Sequence, residues 1–176
     1  MEAMVSAVGL THEDVVAVWG EDNVVRVPRP DAEGLGLPAG AQRVLAEIGL
    51  PRKADQLFAR DRPELIPAGD GVRQYCKIGS DYGTDICVAA DSGAVLSLSH
   101  SAEYPDRFVN SGLECFVEFL CRVVTERRRF PALGDSEIDA LIEHLEAGLR
   151  ARDAEAFAGL DHWWSVIFEQ MRDGLL

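Results

Sequence analysis

Thr84-Asp85-Ile86-Cys87-Val88-Ala89-Ala90, the turn Asp91-Ser92-Gly93, and Ala94-Val95-Leu96-Ser97-Leu98-Ser99 decide the fold class. Ile86 to Ala89 is apolar at every position, so it reads as a strand covered on both faces. Gly93 supplies the positive φ that a tight turn requires. Ala94 to Ser99 then returns as the partner strand, and the pair reads as an antiparallel hairpin. Just upstream, Val72 to Gly79 is a further strand candidate. Val72, Cys76 and Ile78 share one parity, which Gln74 interrupts.

Downstream of the hairpin the apolar period becomes helical. Ser111 and Glu114 have the spacing of a capping box. Leu113, Phe116, Val117, Leu120 and Val124 follow on one face, and Cys121 widens it. The basic run at the end of Glu126 to Arg129 suits a helix C-terminus. Asp135 opens a second helix, striped by Ile138, Leu141, Ile142, Leu145 and Leu149. Asp161 is expected to cap a last helix carrying Trp164, Ile167, Phe168 and Met171. Trp163 and Trp164 must point about 100° apart on it. One ring is expected in the core and the other near the surface or under the sheet.

Upstream, Thr11 is a good N-cap for a short helix with Glu13 and Asp14 in its first turn. Val15, Val16 and Trp19 would face inward, and Gly20 ends it. Asn23 to Val27 reads as a strand, Asp31 to Gly40 as a loop, and Ala41 to Ile48 as a helix stopped by Gly49-Leu50-Pro51. A short strand at Gln56 to Phe58 is allowed. Met1 to Leu10 carries no pattern and reads as a loose end. Strands cluster in the middle and helices at both ends. The expectation is therefore an α+β fold: a central, largely antiparallel sheet flanked by N-terminal and C-terminal helices, in one domain over residues 1–176.

The 30 acidic residues outnumber the 17 Lys and Arg, for a net charge of −13. Such a surface disfavours nucleic acid and anionic membrane as direct ligands and favours a basic protein partner, because opposite fields speed encounter. The plainer reading is that acidity only keeps the chain soluble. Positive charge comes almost wholly from Arg, and Ala, Gly and Val are abundant, which fits a GC-rich bacterial source. Cys76, Cys87, Cys115 and Cys121 form no C-x-x-C pair and sit among apolar neighbours, as free thiols of a reducing cytoplasm do. No signal peptide and no apolar run of membrane-spanning length is read from the chain, so a cytoplasmic location is expected.

No motif for chemistry survives its context. Gly34, Gly36 and Gly40 superficially suggest a dinucleotide loop, but the third glycine is one place late and Pro38 blocks the helix that should follow. No cofactor is expected. His12, His100, His144 and His162 share no metal-ligand spacing, so no metal is expected. Cys87 and Cys115 lie in apolar runs, where a core thiol is the better reading than a nucleophile. Asp81, Asp85 and Asp91 fall at strand ends and turns, where Asp serves local hydrogen bonding. As a docking rim beside Tyr82 and Tyr104 they are more credible than as a catalytic cluster.

Taken together, Tyr75-Cys76-Lys77-Ile78-Gly79, Asp91-Ser92-Gly93, Phe108-Val109-Asn110-Ser111 with its helix through Leu120, and Trp163-Trp164 with Glu169-Gln170-Met171 resemble the SUKH superfamily. The closest likeness is to its fourth subfamily, common in actinobacteria. Trp19-Gly20 and Gly49-Leu50-Pro51 fit as well. The resemblance implies a single α+β domain acting as an immunity protein of a polymorphic toxin system. Such a protein binds and neutralises a cognate toxin, often a nuclease or nucleic-acid deaminase. It implies no catalytic residues and no fixed toxin contacts. The acidic rim read from the residues is Asp81, Tyr82, Asp85, Glu103, Tyr104 and Asp106. A non-enzymatic scaffold and a small Cys/His hydrolase are the competing readings.

Overall fold

The computed structural model describes residues 9–67, 71–72, 74–81, 83–101 and 103–176. Helices at both ends of the chain pack onto a six-stranded antiparallel sheet, so the α+β architecture is as expected. The sheet is a meander in which each strand pairs with its neighbour in sequence: β3 (Lys53–Ala54), β4 (Phe58–Pro67), β5 (Gln74–Asp81), β6 (Thr84–Ala89), β7 (Val95–Ser99) and β8 (Arg107–Asn110). A separate two-stranded ribbon joins β1 (Val24–Val25) to β2 (Leu50–Pro51). The opening hairpin is present, with Val88 opposite Val95, Cys87 opposite Leu96, and Gly93 at φ 78° in the turn.

Strand alternation sorts the sheet residues onto two faces. Cys76, Ile78, Ile86, Val88, Val95 and Val109 enter the main core beneath the helices. Tyr75, Cys87 and Ala89 form a small cluster on the other face, with Ile66, Leu96 and Leu98 against them. Strand β6 is thus buried on both sides, but its outer side is covered by neighbouring strands' side chains and no helix residue belongs to that cluster.

Helix α1 (His12–Trp19) has the expected Thr11 cap, completed as a box by Asp14, whose carboxylate accepts from the Thr11 N–H. The loose-end expectation fails at Leu10. That side chain is buried, and its N–H donates to Glu114 Oε1 at 3.1 Å. Residues 1–8 of that segment lie outside the described residues. The expected strand Asn23–Val27 shortens to β1. The expected loop Asp31–Gly40 instead holds helix α2 (Arg29–Gly34) and the start of helix α3 (Ala39–Arg43), which runs into a π-turn at Val44–Ile48. Pro38 reads as a breaker, and Pro30 lies in the first turn of α2, yet Pro is tolerated in a first helical turn and at its threshold, where no intrahelical N–H is lost. Gly49 ends this unit at φ 90°.

Helix α4 (Leu113–Arg127) is the spine of the core. It buries Leu113, Phe116, Val117, Phe119, Leu120, Val123 and Val124. Fully burying each large side chain contributes about 1.5–3 kcal/mol relative to leaving it in water. Phe116 meets Phe58 of β4 edge-on at 5.4 Å, which fixes the helix over the sheet. Helix α5 (Asp135–Arg152) packs on α4 through Ile142, Leu145 and Leu149. Arg152 Nε donates to the buried Glu118 carboxylate of α4 at 2.9 Å. Helix α6 (Trp163–Arg172) then returns under the sheet. Its N-cap is His162 and not Asp161, which lies exposed one residue earlier. Both tryptophans are buried, at 2% and 0% exposure, and stack edge-on at 4.7 Å.

Candidate functional site

The motif segments meet at a buried polar junction between β8, the end of α5 and α6. Asp153, just past α5, accepts three hydrogen bonds: from Asn110 Nδ2 at 3.0 Å, Ser111 N at 2.9 Å and Ser111 Oγ at 2.7 Å. Asn110 Oδ1 in turn accepts from Trp164 Nε1 at 2.8 Å. The capping box expected at Ser111 and Glu114 therefore does not form. Gly112 is the N-cap of α4, Ser111 is held by Asp153, and Glu114 is held by Leu10. Tertiary partners outbid the local one. Every bond here is internal, so the junction is a brace that sets where α6 crosses the sheet.

Beside that brace the sheet's inner face changes character. Val95 is core, but Ser97 and Ser99 follow at the same parity, and Thr84 Oγ1 accepts from Ser97 Oγ at 2.8 Å. A hollow of about 560 Å³ opens there, with Asp81, Arg107 and the three hydroxyls on the sheet side and Trp163 and Gln170 of α6 opposite. Trp163 Nε1 donates to Asp81 Oδ2 at 2.7 Å. Burial pushes the Asp81 carboxyl above its usual range, opposed by the Trp163 hydrogen bond and the Arg107 charge. Arg107 Nε is buried and has no hydrogen-bond partner among the described residues. Sequence reasoning passed over Ser97, Ser99, Arg107 and Gln170. The available signal was the switch from apolar to hydroxyl residues at inner-face positions of β7.

The six rim residues do not form one surface. Asp81 pairs with Thr84 across the β5–β6 turn and points inward to Trp163. Asp85 lies on the opposite face, where Lys77 Nζ approaches it at 2.9 Å and His100 Nε2 at 3.2 Å. Lys77 is also held by Asp61 at 3.3 Å, and its ammonium is stabilised chiefly by the Asp85 bond. Tyr104, at 64% exposure, lines the hollow. Glu103 and Asp106 are exposed on the same β7–β8 connection, and Asp106 accepts from the Ser99 N–H. Tyr82 lies outside the described residues. Asp81, Glu103, Tyr104 and Asp106 thus belong to one neighbourhood, and Asp85 belongs to an ion-paired cluster behind it.

Asp81 carries a testable cost. Its folded pKa lies above the ordinary carboxylate range because of burial, so ionisation opposes folding. Below the unfolded value both states are protonated and nothing is lost. As pH rises through the folded value, stability falls. Asp81→Asn keeps an oxygen for Trp163 and is expected to match or exceed wild-type stability at neutral pH, with the difference vanishing at acid pH. Urea titrations across pH read this directly.

The thiols are pushed up by burial, Cys76 and Cys115 to about 11, Cys87 and Cys121 to about 12. Thiolate is the reactive form, so native protein should resist iodoacetamide at neutral pH, while all four cysteines label after denaturation. Fast native modification of one thiol, followed by mass spectrometry, would revive the hydrolase reading. The described residues hold no group of three or more His, Cys, Asp or Glu arranged for a metal ion. No helix among them is long and apolar enough to cross a membrane.

The geometry defines an α+β protein with one helix-backed sheet face, a polar brace, and a hollow at the sheet's end. The chain matches the family described as SUKH-4 immunity protein over residues 10–170 and belongs to that family, whose function is immunity. No curated protein and no solved structure matches it.

Proposed function

We propose that this protein neutralises a cognate basic toxin, a nuclease or a nucleic-acid deaminase, by direct contact in the cytoplasm, and catalyses nothing. The observation that carries this reading is the net charge of −13 on a chain of the immunity family. A toxin that works on nucleic acid needs a cationic groove for phosphates. A carboxylate-bearing inhibitor competes for that groove by charge, and complementary fields speed its arrival. Glu103, Tyr104 and Asp106, with Asp81 recessed beside them, make the docking rim, and Tyr82 is assigned to it from sequence. Asp85 contributes only to the field, since Lys77 and His100 already hold it.

Co-expression with the toxin encoded next to this gene tests the reading. Growth should be rescued and the two proteins should copurify. Rescue without a complex would contradict direct neutralisation. Within a complex, Glu103→Lys with Asp106→Lys should slow association by about 10-fold or more at low salt and flatten its salt dependence. Stopped-flow mixing at low and high salt measures both. Unchanged rates would move the interface elsewhere.

A further inference from the structure

The hollow presents a carboxylate and a guanidinium that do not satisfy each other. No Asp81–Arg107 contact falls within salt-bridge reach, although the Arg107 charge is felt at Asp81. Asp81 Oδ2 is taken by Trp163, and its other oxygen receives no hydrogen bond among the described residues. Arg107 Nε is likewise unsatisfied. Around them stand the hydroxyls of Thr84, Ser97 and Ser99, with Tyr104 among the wall residues. A partner that completes the open oxygens must bring several N–H donors to them, whereas Arg107 Nε is buried and closed to it.

We propose that the hollow is a socket for an arginine side chain of the cognate toxin, seated on Asp81 beside the exposed ring of Tyr104. The inference deepens the neutralisation reading and rests on it. Arginine fits better than lysine for a geometric reason. Its planar fork offers five donors, enough for a carboxylate and neighbouring hydroxyls at once, and it stacks on aromatic faces. An ammonium is a compact point charge and would leave most of the hydroxyl row unused. A chain segment is favoured over a free metabolite because Glu103 and Asp106 extend the negative surface outward along the β7–β8 connection, where the rest of a basic partner would lie.

Calorimetry with the catalytically inactivated toxin tests this on the intact protein, for wild type, Asp81→Asn and Gln170→Trp. Asp81→Asn removes only the charge. Gln170→Trp fills the hollow from α6 and leaves Asp81 untouched, so a shared loss does not depend on either variant's quirks. Circular dichroism confirms that both are folded. Each variant should weaken binding by at least about 30-fold, the scale for losing one partner of a desolvated charge pair. The Trp163 indole N–H resonance should shift on toxin binding in wild type. Wild-type binding with both variants within about twofold of it would overturn the socket and leave neutralisation standing. Absence of wild-type binding would remove both. Free arginine binding as tightly as the toxin would also overturn it, by making the hollow a metabolite site.

Discussion

Asp153→Ala is expected to cost about 1–3 kcal/mol, because it strips the acceptor from the buried Asn110 amide, which has nowhere else to turn, while exposed Ser111 can bond to water. Asn110 Nδ2, Ser111 N and Ser111 Oγ all point at this carboxylate, and Asp153 is buried. The loss should appear as a lower urea midpoint with an unchanged m-value, since the fold's extent is not altered. Asp153→Asn keeps an acceptor oxygen and should cost less. The brace also predicts coupling. Trp164→Phe removes the indole donor from Asn110 Oδ1, on the other side of the same amide. The two changes share Asn110, so a double-mutant cycle should show non-additivity of about 0.5–3 kcal/mol. A loss below about 1 kcal/mol for Asp153→Ala would mean that water substitutes for the carboxylate and that the junction is wet.

Gly79→Ala should be at least as damaging, for a steric reason. A Cβ there would come within 2.3 Å of Phe58 Cε2 and 2.4 Å of the Ala59 carbonyl oxygen. A side chain can rotate away, but a carbonyl in a paired strand moves only with its strand. Gly79 sits where β5 shifts register against β6, and it pairs with Arg60 where the β4 register is about to shift. The close approach is thus part of how the strands cross. A cost of about 3 kcal/mol or more is expected, at the upper end for overpacking. Phe58→Ala should relieve only part of it, since Ala59 remains and the Phe58–Phe116 contact is lost. Equilibrium unfolding of the two single variants and the double variant checks both statements.

The hairpin at residues 84–99 and the three C-terminal helices were legible because their apolar periods agree with their tertiary surroundings. Strand β4 was not. Phe58–Pro67 carries Arg60, Asp61, Arg62 and Glu64 with prolines at 63 and 67, which argue against a strand. The fold resolves the conflict by geometry. Strand β3 pairs with β4 only at Phe58 and Ala59 and the Arg60 N–H donates to the Arg52 carbonyl, so beyond Arg60 no strand among the described residues pairs with the outer side of β4, and its register shifts between Arg60 and Glu64 around Pro63. Pro and charge belong at such an edge. The Ser111 box was locally sensible but lost to Asp153, 42 residues away, a partner no local pattern announces. The rim suffered from ignoring strand parity. Asp81 and Asp85 are close in sequence, but Asp81 pairs with Thr84 across the turn, which sends the next side chain to the other face. The SUKH likeness was legible as an order of motifs, and the structure shows what two of them do: Asn110-Ser111 and Trp164 meet at one brace, while Trp163 holds Asp81.

That brace also bears on the timing of protection during synthesis. The meander uses neighbours in the chain and is free to pair as they emerge from the ribosome, N-terminal parts first. Its last strand, however, is locked by Asp153 and Trp164, separated from Asn110 by 43 and 54 residues. A nascent chain can therefore display a formed hairpin while α6, one wall of the arginine socket, is still unmade. If the proposed socket is where the toxin docks, a chain becomes able to bind it only after that late helix docks.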